Sequence, residues 1–131
     1  MKLPSEMDCV TDSFQSLVMH RGETAIGKAA SSGRIENLTN DDWAMIAYPC
    51  RYITLVTSFH DWPDQIFEAP NKKFFTVKDL QEKLLQFESC GARKVYVERL
   101  HFAGLRRCGP NMYEPLWQTW EASRKARHLH V

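Results

Sequence analysis

Residues 76–105 read TVKDLQEKLLQFESCGARKVYVERLHFAGL, and this stretch decides the fold class. Thr76-Val77-Lys78-Asp79 has the Thr-x-x-acid form of a helix start. Its hydroxyl can take one of the backbone N–H groups left free in a first turn, while the acid reaches back to the cap. Val77, Leu80, Leu84 and Phe87 then recur at helical spacing, and Gly91 supplies a left-handed stop. Lys94-Val95-Tyr96-Val97-Glu98 reads as a strand, and His101-Phe102-Ala103-Gly104-Leu105 as a compact aromatic-glycine corner. A capped helix followed at once by extended chain makes a clear case for a folded domain that mixes helix and strand.

Outward from this stretch, the bulk properties are those of an ordinary globular domain. The chain has 131 residues, 44% hydrophobic and 25% charged, enough to bury one core without metals or disulfides. Seventeen basic and 16 acidic residues leave a formal charge of +1, which disfavours a protein built around nucleic acid. Met1 to Asp8 carries no apolar run of the signal-peptide kind, and no stretch approaches the ~20 apolar residues of a membrane span. The expectation is therefore a cytoplasmic protein, with the nucleus as the other candidate compartment. Cys9, Cys50, Cys90 and Cys108 form no C-x-x-C pair, so they read as reduced thiols, mostly small hydrophobes in or near the core.

Met7, Val10, Phe14, Leu17 and Val18 mark one face of an N-terminal helix opening at Ser5-Glu6-Met7-Asp8 and ending near Arg21-Gly22. Residues 23–33 are small and polar, which predicts a flexible connector and a division into a 1–33 appendage and a 34–131 domain. Thr39-Asn40-Asp41-Asp42 predicts the opening of a short helical turn that runs through Trp43 to Ile46, closed by Pro49. Residues 52–57 and 65–69 are rich in β-branched and aromatic side chains and predict an antiparallel hairpin with a long loop. Phe74-Phe75 leads into the main helix. Leu116, Trp117 and Trp120 fit either a helix or a strand, and Arg124 to His128 form a basic tail.

From Trp43 to Trp120 the chain resembles a family of small domains of unknown function, found mostly in mushroom-forming fungi. Trp43 and Pro49 match its first element, and His60-Asp61-Trp62-Pro63 followed by Gln65-Ile66-Phe67 stands at its tryptophan loop. Thr76-Val77-Lys78-Asp79-Leu80 matches its helix start, and Phe102-Ala103-Gly104-Leu105 its late corner. His101 stands where the family usually has arginine, and the connector after the helix is short. The resemblance implies a fold and a fungal origin. It implies no activity, cofactor or catalytic residue.

The candidate chemistry gathers around histidines. His60 and Asp61 beside Trp62, with His101, would make a general base with an orienting carboxylate if folding brought them together. Cys108 would then be a nucleophile activated by a histidine. Against this stand an Asx-type turn at His60-Asp61, a sheet-edge His101 and a structural Cys108. His60 with Asp64, and His128 with His130, lack a third ligand, so neither metal nor cofactor is expected. Arg93, Lys94, Arg99, Arg106 and Arg107 read as a solvated face paired with Glu88, Glu98 and Glu114. Trp62, next to Pro63, and Phe59 are the residue types that anchor a partner.

The sequence thus predicts an α+β fold: a small, mostly antiparallel sheet with one main helix on a face, plus an N-terminal helix. Its motifs account for folding better than for chemistry. They favour a non-catalytic protein-interaction or accessory domain using Phe59 and Trp62 toward a protein partner or a second copy, without nucleic acid or membrane. The alternative is a small enzyme or small-molecule-binding protein with a pocket near His60, Asp61 and His101, using Cys108.

Overall fold

The computed structural model describes residues 9–57, 63–89 and 100–119. Within them lie three helices and nine strands, in open and mostly antiparallel sheets. The helices are α1 (Asp12–Gln15), α2 (Asn40–Ala44) and α3 (Val77–Ser89). The strands are β1 (Leu17–Val18), β2 (Gly27–Ala29), β3 (Ile35–Glu36), β4 (Ile46–Tyr48), β5 (Tyr52–Leu55), β6 (Gln65–Glu68), β7 (Phe75–Thr76), β8 (His101–Gly109) and β9 (Met112–Gln118). The α+β class is as the sequence predicts. No helix of the described residues is long and apolar enough to cross a membrane.

The main helix forms as its sequence dictates. Thr76 and Asp79 make the reciprocal cap: the Asp79 N–H donates to Thr76 Oγ1 at 3.1 Å, and the Thr76 N–H donates to Asp79 Oδ2 at 3.1 Å. Val77, Leu80, Leu84 and Phe87 are buried along one stripe. Each such side chain contributes about 1.5–3 kcal/mol of transfer free energy. They join Ile53, Leu55, Phe67, Leu105 and Tyr113 of the strands in one core cluster. Residues 90–99, with the Gly91 stop and the expected 94–98 strand, lie outside the described residues.

The larger sheet has the order β6-β5-β9-β8. β5 and β6 form the expected antiparallel hairpin, pairing Tyr52 with Glu68 and Leu55 with Gln65. β5 runs parallel to β9, with Thr54 opposite Met112. For Leu116 and Trp117 the tail ambiguity resolves in favour of strand, because β9 has β8 on one side and β5 on the other, while Trp120 lies outside the described residues. A two-residue turn joins β8 to β9, with Asn111 at φ 57°. Asparagine tolerates that left-handed position. Its side chain donates to the Tyr48 hydroxyl and to the Tyr52 carbonyl, pinning the turn across the sheet.

Four expectations are corrected. The aromatic-glycine segment is no corner: it is the first half of the nine-residue β8, whose register shifts between Phe102 and Leu105. Gly104 sits at φ +105°, and a Cβ there would meet Gln15 Oε1 at 2.9 Å. The Gln15 amide grips this bulge from α1, accepting from the Leu105 N–H at 2.7 Å and donating to its carbonyl at 2.9 Å.

Secondly, among the described residues the N-terminal helix is α1 alone, and its expected opening at Ser5–Asp8 lies outside them; Leu17–Val18 pairs with β2 instead of continuing the helix. Phe14 and Leu17 keep helical spacing, whereas Leu17 and Met19 keep strand spacing, so one apolar run serves two periodicities. Val10, Phe14, Leu17 and Met19 all belong to the common core. Thirdly, the expected connector contains β2, central in a β1-β2-β3 sheet. Its Gly27 is buried, and a Cβ there would meet the Glu36 carbonyl oxygen and Ile35 Cγ2, each at 2.7 Å. That glycine serves close packing. Fourthly, the helical turn expected to reach Ile46 ends at Ala44, and Ile46–Tyr48 is a strand that pairs antiparallel with Phe75–Thr76. The thiols also depart from expectation: Cys9 and Cys108 are exposed, while Cys50 packs against the core.

Candidate functional site

Of the expected catalytic set, His101 and Cys108 lie among the described residues, and these two are not brought together. Phe59, His60, Asp61 and Trp62 lie outside the described residues. His101 opens β8 opposite Gln118, whereas Cys108 lies seven residues on, beside the turn. At ~3.3 Å per residue the two are separated by roughly 20 Å of strand. The exposed Cys108 thiol contacts the Arg106 carbonyl at 3.4 Å. A His101–Cys108 dyad is therefore excluded by the strand that carries both.

His101 faces a partner that sequence reasoning missed. It lies directly opposite His20, with ring centroids 4.8 Å apart and planes inclined at 46°. The Arg21 N–H donates to the Leu100 carbonyl and the Phe102 N–H to the Met19 carbonyl, each at 3.0 Å. These bonds flank the pair and leave His20 and His101 in a non-hydrogen-bonded position, where facing side chains come closest. No signal in the linear sequence joins residues 81 positions apart.

On the core side of the same segment sits a buried carboxylate. Glu88 is 3% exposed; its Oε2 accepts from Arg21 Nε at 3.0 Å and its Oε1 from Trp117 Nε1 at 2.9 Å. The Arg21 guanidinium lies 6.0 Å from the Trp117 ring centroid. A signal for it existed: Leu80, Leu84 and Glu88 share one helical stripe, so Glu88 had to be buried or break the stripe. Gln81 works alike, accepting from the Ala25 N–H at 2.8 Å. Both groups are satisfied, which marks them as structural ties between α3, β9 and the N-terminal segment.

A cleft of about 350 Å³ lies between α1, β2 and α2, lined among others by Asp12, Ser13, Ser16, Lys28, Asp42 and Met45. Lys28 Nζ donates to Asp42 Oδ1 at 2.8 Å. The Thr39 N–H donates to Asp42 Oδ2 at 2.8 Å, in the cap that starts α2. The Lys28 bond first, and the Thr39 N–H second, lower the Asp42 carboxyl from 3.8 to about 2. Lys28 is raised in return, chiefly by the same hydrogen bond. The cleft thus pairs its strongest charges with each other, and neither His101 nor Cys108 lines it.

A pH prediction follows from Asp42. Its folded carboxyl titrates below its unfolded value, so its contribution is complete above about pH 4 and is lost as pH falls toward 2. Thermal unfolding of the wild type should fall more steeply over that window than that of Asp42→Asn. The two melting profiles should converge in acid; parallel profiles would show that the Lys28–Asp42 pair is not linked to folding.

The outer face of the larger sheet is the remaining feature. Ile66 is 72% exposed and Tyr52 46% exposed. Ile66 is opposite Thr54 and Tyr52 opposite Glu68, so the two apolar side chains are diagonal neighbours on one face. Arg51 donates from Nε to Glu68 at 2.7 Å and lies 5.1 Å over the Tyr52 ring. Glu68 lowers its carboxyl pKa chiefly through the Arg51 hydrogen bond. Arg106 pairs with Glu114 further along the face, as the expected solvated pairing has it. Among the described residues no group of three or more His, Cys, Asp or Glu could hold a metal ion. No protein-family model, no curated protein and no solved structure matches this chain.

Proposed function

We propose that the protein is a non-catalytic interaction domain whose contact surface is the outer face of the β5–β6 hairpin. The observation that carries this reading is the exposed Ile66–Tyr52 pair, rimmed by the Arg51–Glu68 ion pair. An apolar centre within a charged rim is the anatomy of a protein contact. Phe59 and Trp62 enter this reading from the sequence alone, as residues of the segment between these same two strands. The occupant is a protein surface presenting an apolar side chain to Ile66 and an aromatic or acidic group to Tyr52 and Arg51. The described polar residues support this reading indirectly, since Lys28, Asp42, Arg21 and Glu88 are engaged in holding the fold. The family that residues 76–80 and 102–105 resemble contributes no catalytic residue.

The test compares wild type with Ile66→Glu and Trp62→Ala by sedimentation over a wide concentration range and by cross-linking in source-cell extract. Both variants should lose the wild type's self-association or the same cross-linked protein. Their stability should stay within about 0.5 kcal/mol, the usual range for surface changes. A monomeric wild type whose cross-linked proteins are unchanged in both variants would overturn the reading.

A further inference from the structure

We propose that His20 and His101 form a bidentate site for a divalent first-row transition-metal ion, of the kind that takes imidazole nitrogen. Neutral imidazole is the common protein ligand of zinc, nickel and copper. The two rings stand directly opposite each other at a non-hydrogen-bonded pair, 4.8 Å between centroids. A chelate with metal–nitrogen bonds of ~2.0–2.1 Å needs the two donor nitrogens roughly 3 Å apart. Chelation requires the rings to turn from their 46° inclination so that one nitrogen of each faces a shared point.

The backbone makes the arrangement rigid. The hydrogen bonds of Arg21 to Leu100 and of Phe102 to Met19 fix the register on either side of the pair. β8 is in turn held by β9 along its length. The ligands are thus brought together by folding, and little ordering is left to oppose binding. Both histidines are half-buried, so solvent and a metal ion reach them. Arg21, the nearest cation in sequence, turns to the core side and is neutralised by Glu88 at 3.0 Å. Water completes the coordination.

Two imidazoles give an affinity well below that of a closed four-ligand site, and copper should bind more tightly than zinc. Protons compete for the same nitrogens, so binding should weaken in acid. The experiment is titration of the full chain with zinc, nickel or copper chloride, followed by calorimetry and by thermal unfolding. One equivalent should bind and raise the melting temperature, since the ion favours the folded chain. His20→Ala and His101→Ala should each weaken binding at least about tenfold, a loss of roughly 1.4 kcal/mol. His60→Ala/His128→Ala/His130→Ala, which leaves the pair intact, should keep it. Paramagnetic broadening by nickel or copper should reach the His20 and His101 ring protons first. Absence of stoichiometric binding overturns the site, as does binding that survives His20→Ala or that disappears in the triple variant.

Discussion

Phe14→Ala should destabilise the protein by about 3–5 kcal/mol, the range for emptying a large buried aromatic site. Phe14 is 0% exposed and meets the Phe102 ring edge-on, with centroids 5.7 Å apart. It packs with Val10, Leu17, Met19, Tyr48 and the α3 stripe in one cluster, so no surface layer can collapse into the vacancy at little cost. The α1 helix that carries it has four residues and no side-chain cap, so its own propensity cannot hold the ring in place. Urea unfolding measures the effect, with a change in midpoint at constant slope. Had residues 9–22 been an appendage joined by a loose tether, the same substitution would change global stability by less than about 0.5 kcal/mol. The two outcomes differ by enough to decide whether the first 33 residues are integral to the domain.

Removing the buried carboxylate should have an effect of similar size. Glu88→Ala is expected to cost about 3–5 kcal/mol, because it leaves the Arg21 guanidinium in a site built around an anion. Arg21 itself is only 13% exposed, so water cannot fully replace the lost partner. Trp117 loses its acceptor in the same step, and its emission reports the change directly. Glu88→Gln keeps an acceptor for Trp117 but removes the charge, and should fall between wild type and Glu88→Ala. The double variant Arg21→Met/Glu88→Leu should recover much of the loss, since well-packed apolar side chains often replace a buried ion pair without cost. A double variant as unstable as the sum of the singles would show that the pair contributes through contacts beyond its charge.

How much of this was legible in the chain depended on whether the signal was local. Thr76 and Asp79, like Thr39 and Asp42, form their caps within four residues, and both were readable because nothing distant has to agree. The β5–β6 hairpin was readable for a similar reason, with alternation on both strands and a turn-rich segment between them. Phe102 to Leu105 was misread because a positive-φ glycine beside an aromatic fits a corner and a bulge equally well. Only the grip of Gln15, 90 positions away, selects the bulge.

For the candidate site, the sequence put His101, Cys108 and the Trp62 loop forward by residue type. Residue type carries no distance, and β8 separates His101 from Cys108 while setting His101 against His20. The Tyr52–Ile66 pair was invisible as a patch until the register of β5 against β6 was known, since a shift of one residue would send Ile66 to the core.

By itself, then, the sequence determined the α+β class, the main helix and its caps, and the hairpin, because those rest on periodicity and on hydrogen bonds between near neighbours. Tertiary structure alone decided that Leu17–Val18 and Gly27–Ala29 form strands, that β5 and β9 run parallel, that Glu88 is a tie and that His20 faces His101. Each of these needs partners far apart in the chain. Their energies come from burial and pairing that exist only after the whole core has closed.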